Sequence, residues 1–385
     1  MGTVFASASL GESLKGVLSS TSLWGAVLTC LAVVFLGYFL ARKHFFPPHA
    51  DGIFIKLVLS VSLPCLAFTS FLVDFSTFSL LDLLVNLVLG FVLYPLFILL
   101  GYGVFAFVKD PTRRKILALL FAFGSGTFFA QPLLSVVYGE LAYNDSNMIN
   151  VAFRVFLYSY VYVEIVGDKI APGAASWRVT LKKILLNPIL IATFLGLLLW
   201  ALQAIPGSAS QQWWTLRKDW LHPIEGSTPV YVPFWRIDVS LPWLTVVLKV
   251  VAGLTTPLIY LAIGLTLGEK SIKEAARNRL AWYYAFLRIF VGPALVLGFL
   301  YALEAIAKAC NYPQLISLAT VQSTLLMWAV PTATVAVAYC LEADKEKALA
   351  SDASVLATLV YIPGEVIWVL VLAFIEASGY FYVAA

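Results

Sequence analysis

The chain has 385 residues, of which 61% are hydrophobic and 12% charged, and its formal net charge is +4. Soluble globular proteins carry roughly a quarter charged residues, so the composition excludes that class, indicates a polytopic membrane protein and argues against nucleic acid as a partner. Four scattered cysteines, Cys30, Cys65, Cys310 and Cys340, show no CxxC or His-rich spacing, so neither a disulfide framework nor a metal site is expected, and no cofactor is implied.

From the N-terminus, segment 1–21 contains Glu12 and Lys15 without a basic start and apolar core. No cleavable signal is expected, and the first apolar stretch must itself direct insertion. Ten stretches are long enough to cross a bilayer: 22–41, 52–72, 80–107, 115–138, 148–167, 183–204, 242–268, 279–307, 315–341 and 350–376. Loops after odd-numbered spans, with the ends of the spans beside them, hold Arg42, Lys43, Lys56, Lys109, Arg113, Arg114, Lys115, Lys169, Arg178, Lys182, Lys183, Lys270, Lys273, Arg277, Arg279, Lys345 and Lys347. The opposite side has only Lys15, Arg217, Lys218, Arg236 and Lys308. The positive-inside rule then places both termini on the non-cytoplasmic side, with the cell membrane as the expected location.

Two spans are interrupted. Span 4, FGSGTFFAQPLLSVVYGE from Phe123, is broken by Gly124, Gly126 and Pro132; span 9, LLMWAVPTATVAVAYCL from Leu325, is broken at Pro331. A proline in a helix frees a carbonyl that lipid cannot satisfy, so broken spans line cavities. Paired breaks in two halves point to a transporter's binding site. The prolines also expose a repeat: Pro64, Pro95 and Pro132 are matched at nearly constant offset by Pro257, Pro293 and Pro331. Each half has an odd number of spans, so the second enters the membrane in the opposite sense. The expected organisation is a first five-helix repeat at 22–167, an inner basic linker at 168–182, a second repeat at 183–376 and a tail at 377–385. An outer insertion at 203–241, rich in Trp and Pro, reads as an interfacial cap.

At these residues the chain resembles the auxin efflux carrier family of secondary transporters. FGSGTFFAQP is similar to the family pattern F-G-N-x-G-F-x-G-x-P at Phe123, Gly124, Phe128 and Pro132. Further similarity lies in KLVLSVSLPCLAF around Pro64, LLNPILIATFLGLLL around Asn187 and Pro188, PLIYLAIGLTLGE from Pro257, RIFVGPALV from Arg288, and DASVLATLVYIP up to Pro363. The resemblance implies an all-α fold of ten transmembrane helices, built as two inverted five-helix repeats in which spans 4 and 9 cross as broken helices. It also implies substrates that are organic anions such as auxins or small carboxylates. The family's substrate-contacting asparagine falls at Ser125, and the aspartate–lysine pair of the plant carriers' third span falls at Asp82 and Asn86.

The breaks suggest a site. Half-helices that start at a break present N–H groups and a positive dipole end, which suits a carboxylate. Ser125, Thr127, Gln131, Thr332 and Thr334 can add hydrogen bonds beside Pro132 and Pro331, or can serve helix packing. Met327 and Trp328 read as packing. Arg288 and Arg154 are candidate counter-charges, or arginines that snorkel to the interface; Asp82, Glu164 and Lys249 are expected near span ends. Leu63 and Asn187 complete the candidate substrate-binding set. His44, His49 and His222 fall in loops, and no clustered acids or nucleophile within spans suggest an enzyme. No GxxxxGK[ST] motif occurs, so gradients must supply the energy. The expected partners are a small organic anion and the lipid bilayer, with a homodimer left open. The expected function is efflux-type transport by alternating access; the alternatives are a sodium-coupled bile-acid-type symporter and a non-transporting ligand sensor.

Overall fold

The computed structural model describes residues 15–16, 19–75, 79–170, 176–205, 211–214, 229–269, 272–312 and 314–383. Most of the N-terminal segment, part of the linker 168–182, and Pro206, Trp220 and Pro223 of the segment 203–241 lie outside them. The architecture is almost wholly helical. Each of the ten apolar stretches is largely helix, and among the described residues seven helices are long and apolar enough to cross a membrane: α1 (Thr21–Arg42), α2 (Ala50–Thr69), α3 (Leu80–Val104), the run Ala130–Gly167, the run Pro242–Glu269, Arg279–Ala309 and Lys347–Ser378. The remaining stretches are shorter because they are interrupted or end early. α4 (Pro111–Ala122) stops at the first break, α5 spans 130–138, and α6 (Gly139–Phe156) starts at a glycine whose φ of 84° ends the preceding helix and needs no Cβ there. α7 (Ser176–Leu185) and α8 (Pro188–Ala201) follow. Segment 203–241 contains a small antiparallel pair, β1 (Gln211–Trp214) and β2 (Pro229–Val232), with Gln211 opposite Val232. α9 (Ile237–Ser240), α10 (Pro242–Gly253), α11 (Thr255–Glu269), α12 (Ile272–Ala275), α13 (Arg279–Ala309), α14 (Leu318–Trp328), α15 (Thr334–Ala343) and α16 (Lys347–Ser378) complete the chain.

Proline leaves its mark on this pattern. A π-helical turn at Val58–Ser62 immediately precedes Pro64, and another at Leu287–Val291 precedes Pro293. Each wider turn makes room for a ring that would clash with the preceding turn. Asn187 caps α8 rather than standing free: its Oδ1 accepts from the N–H of Ile189 at 2.9 Å.

The chain divides into two compact units, one made of 1–32, 79–181 and 270–385 and the other of 33–78 and 182–269. In the second, helices meet backbone to backbone through glycine, since a Cβ on Gly264 would lie 2.1 Å from the Val34 carbonyl oxygen and one on Gly37 would lie 2.4 Å from that of Leu261. The loop residue Asp74 accepts from Arg236, which also pairs with Asp238. Leu63 is buried in this unit, beside Pro64. Every other candidate site residue except Asn187 belongs to the first unit.

Candidate functional site

In the first unit the two breaks meet. Residues 123–129 and 329–333 run antiparallel and bridge at Gly124 and Thr332. The Ser125 N–H donates to the Pro331 carbonyl at 2.8 Å, and the Ala333 N–H donates to the Phe123 carbonyl at 3.0 Å. The backbone groups freed by the breaks thus satisfy each other, which is how irregular chain survives in a lipid-facing fold.

Side chains lock this bridge. Ser125 Oγ donates to the Thr332 carbonyl at 3.1 Å, accepts from the Thr334 N–H at 3.2 Å, and shares a hydrogen bond with Thr334 Oγ1 at 3.3 Å. The Tyr284 hydroxyl donates to the Leu120 carbonyl at 2.9 Å and pairs with Thr332 Oγ1 at 2.8 Å. Arg288 does not snorkel. It is 1% exposed, with Nη1 donating to the Phe121 carbonyl at 2.6 Å and Nε to the Val330 carbonyl at 3.1 Å. Those carbonyls lie at the C-terminal ends of α4 and α14, where orphan acceptors and the negative end of the dipole collect. One guanidinium therefore clips both half-helices. Arg154, also 1% exposed, is buried in α6 and likewise does not reach an interface.

The bridge rests on aromatic rings. Tyr94 stacks on Phe123 with centroids 5.1 Å apart and lies 4.7 Å from the Trp328 ring. Trp328 and Met327 are buried, in keeping with packing roles. Thr127 and Gln131 face α6: Asn150 Nδ2 donates to Thr127 Oγ1 at 3.1 Å, and Gln131 Nε2 donates to Asn147 Oδ1 at 2.6 Å and Ser146 Oγ at 3.0 Å. Of the polar residues proposed from sequence, Ser125, Thr127, Gln131 and Thr332 are buried and engaged with protein groups, whereas Thr334 at the start of α15 is half-buried. Pro132 is also half-buried and Pro331 is buried.

A second polar layer was not anticipated. Thr320 Oγ1 donates to Asp145 at 3.2 Å while accepting from Asn86 at 2.9 Å and Ser317 at 2.9 Å. Asp82 lies in the first turn of α3, near a span end as expected, yet it is 5% exposed and takes a hydrogen bond from the Tyr382 hydroxyl. Burial, then the neighbouring Asp82, pushes the Tyr382 phenol's pKa up, so it stays a donor. Glu164 pairs with Lys115 at 2.7 Å, and Lys249 is exposed. Two buried carboxylates within spans, Glu304 and Glu365, went unread although a lone acid in an apolar run is a signal in itself. The run Asn144 to Asn150 was likewise legible as a polar helical face, but the fifth span was started at 148 and the helix starts at Gly139.

No curated protein matches the chain. The family model described as membrane transport protein does match it, over residues 22–206 and 230–369, which is most of its length. Together with the broken helices and the apolar spans, this establishes that the chain belongs to the membrane transport protein family, that of the auxin efflux carriers, and is a multi-pass integral membrane protein and secondary transporter.

Proposed function

We propose that the protein carries a small organic anion, such as an auxin-like or small carboxylate, by alternating access, binding it where the two breaks cross. The observation that carries this reading is the charge arrangement at the bridge. α5 and α15 begin there, so the positive ends of two half-helix dipoles converge on it. Arg288, buried at the same place, adds a permanent positive charge while covering the carbonyls that would repel an anion. In this account Ser125, Thr332, Tyr284 and Arg288 hold the backbone of the site, and the half-buried Thr334 hydroxyl, three residues past Pro331, exchanges its bond to Ser125 for one to the carboxylate, with Pro132 and Pro331 marking the two breaks. Thr127 and Gln131 orient α5 from behind. The wider frame is ten spans in two inverted repeats, 22–167 and 183–376, both termini outside the cell membrane and the insertion 203–241 over its outer face.

The test is flux. The purified full-length protein, reconstituted in vesicles without nucleotide, should take up at least one of a panel of labelled carboxylates saturably and down an imposed gradient. Binding without flux would favour a sensor, and strict dependence on sodium would favour a bile-acid-type symporter.

A further inference from the structure

α16 carries a carboxyl group in its interior. Glu365 is 6% exposed, and the Tyr361 hydroxyl, one turn earlier, donates to its Oε1. The Tyr361 ring meets the edge of Phe129, at the end of the first break, with centroids 5.0 Å apart. On the other flank, Gly364 is so close to the π-helical turn of α13 that a Cβ would lie 2.4 Å from Ile289 Cγ2, and Trp368 Nε1 donates to the Ile289 carbonyl at 2.7 Å. Ile289 follows Arg288. Residues 361–368 therefore touch both the first break and the turn that carries its arginine clip.

Few charges surround this carboxyl. From α5 the Tyr138 phenol lies within electrostatic reach of Glu365 and of Glu376 further along α16. From α13 comes Arg288, with its guanidinium turned onto two carbonyls, and Arg279 is exposed at the helix start. α14 has no ionisable side chain, the charges of α4 are confined to its outer turns, those of α12 are exposed, and α15, which also packs on α16, carries the buried Tyr339 and Cys340 and, in its last turn, the exposed Glu342. Glu304, the other buried glutamate of the spans, differs: it is 0% exposed with Lys308 at 3.6 Å. Among the described residues, Tyr361 is the one hydrogen-bond partner of Glu365. A single neutral donor compensates a carboxylate poorly at membrane depth, where an ionisable group marks an ion or proton path.

We propose that Glu365 is a proton-exchange site. In the conformation described, the proton sits on Oε2 while Oε1 accepts from Tyr361. When water reaches the group, the O–H bond breaks, the proton passes to water and the carboxylate remains, with no change of oxidation state. Through Tyr361 and Phe129 the proton's presence is linked to the first break. This couples a proton to the carrier cycle and rests on the gradient-driven reading above, but its test needs no substrate.

The experiment is infrared difference spectroscopy of the full-length protein in bilayers, titrated from acid to alkaline pH. A protonated-carboxyl C=O band should disappear with rising pH and be absent in Glu365→Gln. Should that variant not fold, Tyr361→Phe must move the frequency of the band, because it keeps the carboxyl and removes its donor. A band that persists in Glu365→Gln, or one whose frequency Tyr361→Phe leaves in place, overturns the assignment. Where flux of a carboxylate has been found, an inward proton gradient should accelerate it in the native protein and not in Glu365→Gln.

Discussion

The backbone N–H of Ser125 lies 2.8 Å from the carbonyl oxygen of Pro331 and donates to it, although more than two hundred residues separate them. This bond, its partner from Ala333 to Phe123 and the Arg288 clip make two interrupted helices into one structural centre. The predictions follow from what that centre can tolerate.

Gly124 has no room for a side chain. A Cβ there would lie 1.8 Å from Arg288 Nη2 and 2.6 Å from Val330 Cγ2, whereas one on Gly126 would meet the flexible end of Met327 at 2.5 Å. Gly124→Ala should therefore cost about 3 kcal/mol or more and abolish transport, while Gly126→Ala should stay within about 1–2 kcal/mol because a methionine can move aside. Thermal unfolding in detergent, read beside flux, distinguishes the two; equal melting of both variants would contradict the packing argument.

Arg288→Gln leaves the Phe121 and Val330 carbonyls short of their charged donor. Each buried orphan acceptor costs about 1–3 kcal/mol, so the variant should unfold at clearly lower temperature, and Arg288→Lys should recover only part, since a point charge cannot reproduce the planar fork. Native-like unfolding with reduced anion affinity would instead make Arg288 a counter-charge alone.

Ser125 and Thr332 act on the same bridge. Ser125→Ala and Thr332→Val should each destabilise by about 1–3 kcal/mol, and the double variant should depart from additivity by about 0.5 kcal/mol or more because both tie the same backbone segment. Strict additivity in a double-mutant cycle would mean that the two hydroxyls work independently.

Much of this centre was legible in the sequence because proline and glycine have local consequences. Pro132, Pro331, Gly124 and Gly126 announce breaks through steric rules alone, and the matching proline offsets of the two halves pair them. What the breaks do with their backbone was not legible. Ser125 and Thr332 read as donors to a ligand or as packing groups, and spacing does not decide between them; the antiparallel bridge engages both, because a freed carbonyl finds another freed N–H before it finds a ligand. Arg288 was undecided between counter-charge and snorkelling, since one-dimensional spacing cannot show that Phe121 and Val330 turn their carbonyls toward it. Asp145 falls before the expected start of the fifth span, whereas the helix begins at Gly139, and Glu365 is a single acid among apolar neighbours whose burial no linear spacing reveals.

Orientation can be checked with a native residue. Cys310 is exposed, and on the loop-charge argument it faces outward. An impermeant thiol reagent applied to intact cells should label the native protein, label Cys310→Ala far less, and leave a cysteine placed at exposed Lys273 unmodified in that background. Labelling at position 273 from outside would reverse the topology.

Thr334 offers the most direct test of the claim that the crossing of the two breaks is the anion site. Its hydroxyl is half-buried at the start of α15, and its backbone is already held by Ser125. Thr334→Val should weaken equilibrium binding of a transported carboxylate by roughly ten- to a hundredfold, the loss of one hydrogen bond to a charged group, in a protein that still folds although it loses the Ser125–Thr334 hydroxyl bond. Native affinity in a folded Thr334→Val protein would contradict the account and move the site away from the bridge.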